Sequence, residues 1–112
     1  MKAQVVSGQG RGGKYVEVYA ARIEKAVNLK PFPGTLNLKL SGELPLLEPV
    51  EIPAFGKFGA IGLAPCSVNG ERAFAVFPKK GRHEKGVIEI IAEKNIKALL
   101  DLEDEDFVDI QF

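Results

Sequence analysis

Turn signals recur so often along this chain that nearly every apolar segment between them has the length of a strand. Twelve glycines and seven prolines punctuate 112 residues. Glycine takes backbone conformations closed to other residues, and proline lacks an N–H, so both interrupt regular structure. The clearest segment follows Pro33-Gly34, where Leu36, Leu38 and Leu40 alternate with Thr35, Asn37 and Lys39, the period-2 pattern of a strand with one buried face. Ala3 to Ser7 and Lys14 to Tyr19 read as the two arms of a hairpin with a long glycine-rich tip. Short strands are expected within Val50–Ile52 and Phe58–Val68, and Asn69-Gly70 reads as a two-residue turn returning into Arg72–Phe77. Val87–Ala92 and Phe107–Gln111 complete the set. Helix is expected in two short pieces only, Ala20–Val27, which must end before Pro31, and Asn95–Leu100. Many short strands with little helix predict a mainly β fold, a small closed or nearly closed barrel made by residues 1–112 as a single domain.

Charge and composition narrow the partners. Apolar residues make up 46% of the chain, enough to build a core. Fifteen basic and fifteen acidic residues cancel, so nothing in the overall charge draws the chain to nucleic acid or to an anionic membrane, and neither is expected as a partner. No segment approaches the ~18–20 apolar residues that span a bilayer. The sequence turns glycine-rich before a secretion signal develops, and Cys66 has no second cysteine to pair with. A cytoplasmic protein is therefore expected, with Cys66 as a small near-core side chain. The charges are unevenly placed: Lys79, Lys80, Arg82, His83 and Lys85 form a basic run, and Asp101, Glu103, Asp104, Glu105, Asp106 and Asp109 an acidic one. Such runs are usually solvated loops, yet a local basic run on a neutral chain suits a small anionic ligand. His83, the only histidine, excludes a multi-histidine metal site.

The segment Gly8-Gln9-Gly10-Arg11-Gly12-Gly13-Lys14 fits two phosphate-binding patterns superficially. Gly8, Gly10 and Gly13 match G-x-G-x-x-G, and Gly8 to Lys14 match G-x-x-x-x-G-K. Both patterns require a helix to open at the glycines, whereas the alternation from Tyr15 to Val18 predicts a strand. The P-loop also needs Ser or Thr where this chain has Tyr15. What remains is a glycine-rich hairpin tip, either a flexible loop without a ligand or one whose backbone N–H groups approach phosphate oxygens closely, with Arg11 and Lys14 adding positive charge.

Thr35 and Asn37 project from one face at the start of a strand. Both offer neutral oxygen donors of the kind a hard cation such as magnesium takes, leaving the ion its charge for substrate phosphates. Glu89 lies in the apolar run Val87-Ile88-Glu89-Ile90-Ile91-Ala92, on the face of Val87 and Ile91, where a partly desolvated carboxylate is placed to act as a general base.

Val5-Val6-Ser7-Gly8-x-Gly10, Pro33-Gly34-Thr35-Leu36-Asn37-Leu38-Lys39-Leu40, Phe77-Pro78-Lys79-Lys80, Val87 to Ala92 and Asp101-Leu102-x-Asp104-x-Asp106-x-Val108-x-Ile110 occur in this order. Taken together they resemble the CTP-dependent riboflavin kinases of archaea over nearly the whole chain, with Gly-Thr-Leu-Asn-Leu the most specific element. The resemblance implies a six-stranded cradle-loop barrel that transfers the terminal phosphate of CTP to the 5′-hydroxyl of riboflavin, giving FMN and CDP. It implies that Gly8, Gln9, Gly10, Arg11, Gly12 and Gly13 cradle the nucleotide phosphates and that Lys94, Asn95, Ile96 and Lys97 make a second nucleotide contact around the base. Thr35 and Asn37 would coordinate Mg2+, and Glu89 would lie at the ribityl–phosphate end of the flavin. Gly81 stands where the family typically has a threonine against the flavin, and the first glycine loop is one residue longer than the common form. Riboflavin and CTP are thus the expected partners of a monomer. The alternative is a barrel that binds flavin or nucleotide without catalysis. A DNA-binding regulator is a third class, disfavoured by neutral charge and the lack of a helix-turn-helix pattern.

Overall fold

The strands delimited by the turn signals close on themselves. In a computed structural model that describes residues 1–8, 12–79 and 86–112, the strands are β1 (Lys2–Val6), β2 (Leu36–Leu40), β3 (Val50–Ile52), β4 (Ile61–Val68), β5 (Glu71–Pro78), β6 (Val87–Ile91) and β7 (Phe107–Gln111). They form one sheet in the order β3-β4-β5-β6-β2-β1-β7, and β7 pairs back onto β4. Strands β4, β5, β6, β2, β1 and β7 are therefore a closed six-stranded ring. Strand β4 serves two neighbours along one edge: Ile61–Leu63 pair with β3, and Ser67 and Val68 with β7. Every pairing is antiparallel. Closure removes the open edges on which strands aggregate.

Alternation along each strand builds two cores. Inside the ring lie Val5, Leu38, Ala64, Ala75, Ile90 and Ile110, all essentially buried, with contributions from every ring strand. Alanines at positions 3, 64, 73 and 75 keep this interior narrow enough to fill with side chains. The opposite faces of β4, β5 and β6 supply Leu63, Phe74, Val76 and Ile91 to a second core outside the ring.

A helix covers that outer face, and here the sequence expectation fails. Gly12–Val27 is a 16-residue helix, α1, so Lys14–Tyr19 is the first half of a helix rather than the second arm of a hairpin. Its buried positions Val16, Tyr19 and Ile23 fall three and four residues apart, the spacing of one helical stripe. The six-residue window from Lys14 to Tyr19 samples too little of that stripe to separate it from alternation, and its β-branched and aromatic residues carry strand propensity that packing overrides. Each buried anchor contributes about 1.5–3 kcal/mol of apolar burial. Tyr19 also donates its hydroxyl to the Gly59 carbonyl at 2.7 Å, and the Arg22 guanidinium lies 3.5 Å above the Phe55 ring. Helix α1 ends at Asn28, which takes a left-handed φ of 53° and donates its N–H to Glu24.

Two shorter features behave as expected. Asn69 and Gly70 have φ of 47° and 84°, the double positive φ of a type I′ hairpin turn between β4 and β5. The second helix, α2 (Ile96–Leu99), is capped by Asn95, whose side chain accepts the Ala98 N–H.

Candidate active site

Sheet register gathers the polar residues singled out above. Asn37 of β2 pairs with Val6 of β1 on one side and with Glu89 of β6 on the other, and Glu89 in turn pairs with Val76 of β5. Directly paired residues present their side chains on the same face. Since Leu36, Leu38, Ile88 and Ile90 fill the ring interior, Asn37 and Glu89 stand side by side on the outer face, both half-buried. The same face of β5 and β6 carries α1, through Val76 and Ile91.

The chain leaves β1 at Val6 and reaches the site two residues later. A Cβ added at Gly8 would overlap Asn37 Nδ2, and one added at Gly13 would come 2.9 Å from the Pro33 carbonyl oxygen. Glycine thus allows close approach twice: at Gly8 against the end of the Asn37 side chain, and at Gly13 against the backbone of the Pro33-Gly34 turn. The glycine-rich segment runs from strand to helix, which corrects the strand–loop–strand cradle read from sequence. It makes neither a βαβ unit nor a P-loop, because both neighbours of β1 are antiparallel and Tyr15 occupies the hydroxyl position of the P-loop pattern. The first turn of α1 holds no acidic residue, so no carboxylate of its own competes for the N–H groups that a helix start leaves without intrahelical partners. Gln9, Gly10 and Arg11 in this loop, and Gly81, expected to meet the flavin, lie outside the described residues.

Thr35 opens onto a cavity of about 230 Å³ that it lines together with Gly34, Lys94, Asn95, Ile96 and Lys97. The two segments assigned to metal and to nucleotide therefore share a wall. Backbone contacts fix this region: Phe32 donates its N–H to the Ala92 carbonyl at 2.7 Å, and Gly34 donates to Phe32 at 2.8 Å. A second, open groove of about 450 Å³ lies between Phe77 and the Leu44–Pro49 segment.

Two polar groups at the site receive no role from the sequence. The Tyr15 hydroxyl is buried and has no hydrogen-bond partner among the described residues. Burial, the neighbouring Tyr19 and the charge of Glu89 all push its pKa up, so the phenol stays protonated. Asp104, from the acidic run taken as solvated, accepts a hydrogen bond from Ser7 Oγ and another from Lys97 Nζ, the latter at 2.9 Å. The Ser7 and Lys97 bonds hold its carboxyl below the usual carboxylate range. Sequence separation hides this contact, since Ser7 and Asp104 are 97 residues apart.

The donors fit a divalent metal. Thr35 and Asn37 provide a hydroxyl and a carboxamide oxygen, and among the described residues no cluster of three or more His, Cys, Asp or Glu competes for an ion. Such a site suits an ion held in part by substrate phosphates and water. No helix among the described residues is long and apolar enough to cross a membrane.

The family model for CTP-dependent riboflavin kinases, described as domain of unknown function DUF120, matches residues 5–112. The chain belongs to that family. It is 37% identical over 118 residues to a riboflavin kinase of Thermococcus kodakarensis, covering 96% of this chain and 56% of that protein. A riboflavin kinase of Staphylothermus marinus is 32% identical over 115 residues, covering 98% of this chain and 88% of the relative. One of Pyrobaculum arsenaticum is 36% identical over 121 residues, covering 96% and 58%. The chain thus spans little more than half the length of two of these family members and most of the third.

Proposed function

We propose that this chain is a riboflavin kinase that moves the terminal phosphate of CTP onto the 5′-hydroxyl of riboflavin, giving FMN and CDP. The observation that carries the reading is the row Val6–Asn37–Glu89 across β1, β2 and β6, with Gly8 against Asn37. Phosphoryl transfer needs a phosphate cradle, a metal and the acceptor hydroxyl within one reach and little covalent help from the protein. This row holds a residue for each.

In this reading the backbone N–H groups from Gly8 to Gly13, including the free first-turn groups of α1, hold the CTP phosphates. The Thr35 hydroxyl and the Asn37 carboxamide oxygen hold Mg2+. When bound, such an ion would supply positive charge against the negative charge that builds in phosphoryl transfer. Lys94, Asn95, Ile96 and Lys97 receive the base side of the nucleotide. Glu89 orients the ribityl 5′-hydroxyl and accepts its proton as the oxygen attacks the terminal phosphorus, while the bond from that phosphorus to the bridging oxygen breaks and CDP departs. Gly81 would meet the flavin through its backbone, having no side chain to offer. The protein would work as a monomer in the cytoplasm.

A nucleotide-competition assay tests the assignment of donor. With riboflavin, magnesium and equal concentrations of CTP, ATP, GTP and UTP, FMN is expected to form at the expense of CTP. Preferential consumption of ATP would overturn the choice of CTP. Binding of riboflavin and CTP without any FMN would point instead to a non-catalytic barrel.

A further inference from the structure

We propose that Asp104 is a positioning residue for nucleotide binding, a carboxylate strut that fixes the start of the glycine-rich loop relative to Lys97. This rests on the kinase reading and adds a residue to it. The two oxygens of the Asp104 carboxylate go to different segments: Oδ2 accepts from Ser7 Oγ, and Oδ1 accepts from Lys97 Nζ at 2.9 Å. Ser7 immediately precedes Gly8, which packs against the end of the Asn37 side chain. Lys97 lines the cavity that also holds Thr35. One carboxylate therefore links both protein walls assigned to the nucleotide.

The strut has a rigid base. Its turn is docked onto one edge of β1 by two bonds: Val5 donates its N–H to the Asp106 carbonyl at 2.8 Å, and Glu105 donates to the Val5 carbonyl at 2.7 Å. The Asp106 side chain accepts the Glu103 N–H at 2.8 Å, and Leu102 donates to the Lys97 carbonyl at 2.8 Å. The carboxylate end, by contrast, is half-exposed, as is the Lys97 side chain. An ion pair so open to water contributes little to folding. Its effect falls on where Ser7 and Lys97 stand when the nucleotide arrives, because an unrestrained lysine must be ordered at the moment of binding.

Removing the strut should weaken nucleotide binding and leave the flavin side alone. Steady-state kinetics and CDP calorimetry on wild type, Asp104→Ala, Asp104→Asn and Ser7→Ala test this, with thermal unfolding of each as the folding control. For Asp104→Ala, the KM for CTP and the Kd for CDP are expected to rise about fivefold to tenfold, with kcat and the KM for riboflavin within about twofold. Asp104→Asn, which still accepts from Ser7, should recover part of the loss. Ser7→Ala should act in the same direction, and the Ser7→Ala, Asp104→Ala double variant should be no weaker than Asp104→Ala alone. Should Asp104→Ala fail to fold, Ser7→Ala decides alone. Variants that fold and bind CDP like wild type would overturn the strut while leaving the kinase reading intact. So would tighter binding, which would mean that Asp104 merely competes with the nucleotide for Lys97. Wild type that binds no cytidine nucleotide would overturn both.

Discussion

Gly8 and Asn37 occupy one space: a methyl group at Gly8 would overlap the Asn37 carboxamide nitrogen. The contact joins the glycine-rich loop to the Thr-x-Asn strand, two segments that the sequence presents as separate motifs. It also separates stability from function at this position. The clash falls on the far end of a side chain that can swing away, so the fold can absorb it while the Asn37 oxygen cannot keep its place.

Gly8→Ala is therefore expected to lower Tm by less than about 4 °C and to cut kcat/KM about tenfold or more, as small misplacements at a phosphoryl-transfer site do. The magnesium concentration giving half-maximal rate should rise in parallel. A thermal scan and a metal titration of the same preparation check both halves.

Glu89→Gln removes the proposed proton acceptor but keeps the side chain's size. Turnover at saturating substrates should fall about 100-fold, the low end for general-base loss in a reaction governed mainly by positioning. Unchanged kcat would remove Glu89 as the base and leave it at most a contact to the flavin.

Tyr15→Phe deletes a hydroxyl that is buried without a partner among the described residues. Leaving a buried donor unpaired is costly, so the variant should be more stable than wild type by about 1 kcal/mol. Urea unfolding measures this directly. A destabilised variant would mean that the hydroxyl is satisfied in solution.

Burial pushes the Cys66 thiol up to about 12. At pH 7–8 it should stay protonated and react with iodoacetamide far more slowly in the folded protein than in urea. The sign of the stability effect follows. The folded state holds the proton above the ordinary value of 9.0, so the unfolded state ionises first. Stability is untouched below about pH 9 and falls as pH rises through that range. Cys66→Ser or Cys66→Ala, measured across the same window, should lose this slope.

Much of the barrel is legible because its strands obey a local rule. Leu36, Leu38 and Leu40 declare an inward face, and Asn69-Gly70 declares its turn type by the φ values those residues tolerate. Helix α1 is misread because the decisive spacing runs from Val16 to Ile23, longer than the stretch that looked alternating. The reasons for rejecting the phosphate patterns shift accordingly: a helix does open at the glycines, and antiparallel neighbours rather than its absence exclude a βαβ unit. Asp104 and Tyr15 escape notice for a different reason. Their roles depend on partners brought close only by ring closure and helix docking, and no local pattern encodes those contacts.

The most direct test of the central claim is transfer of label from CTP carrying 32P in its terminal phosphate to riboflavin. With magnesium present, labelled FMN and unlabelled CDP should form in equal amounts, and Asn37→Ala should slow the transfer at least tenfold. Release of label as inorganic phosphate with no labelled FMN would contradict the account.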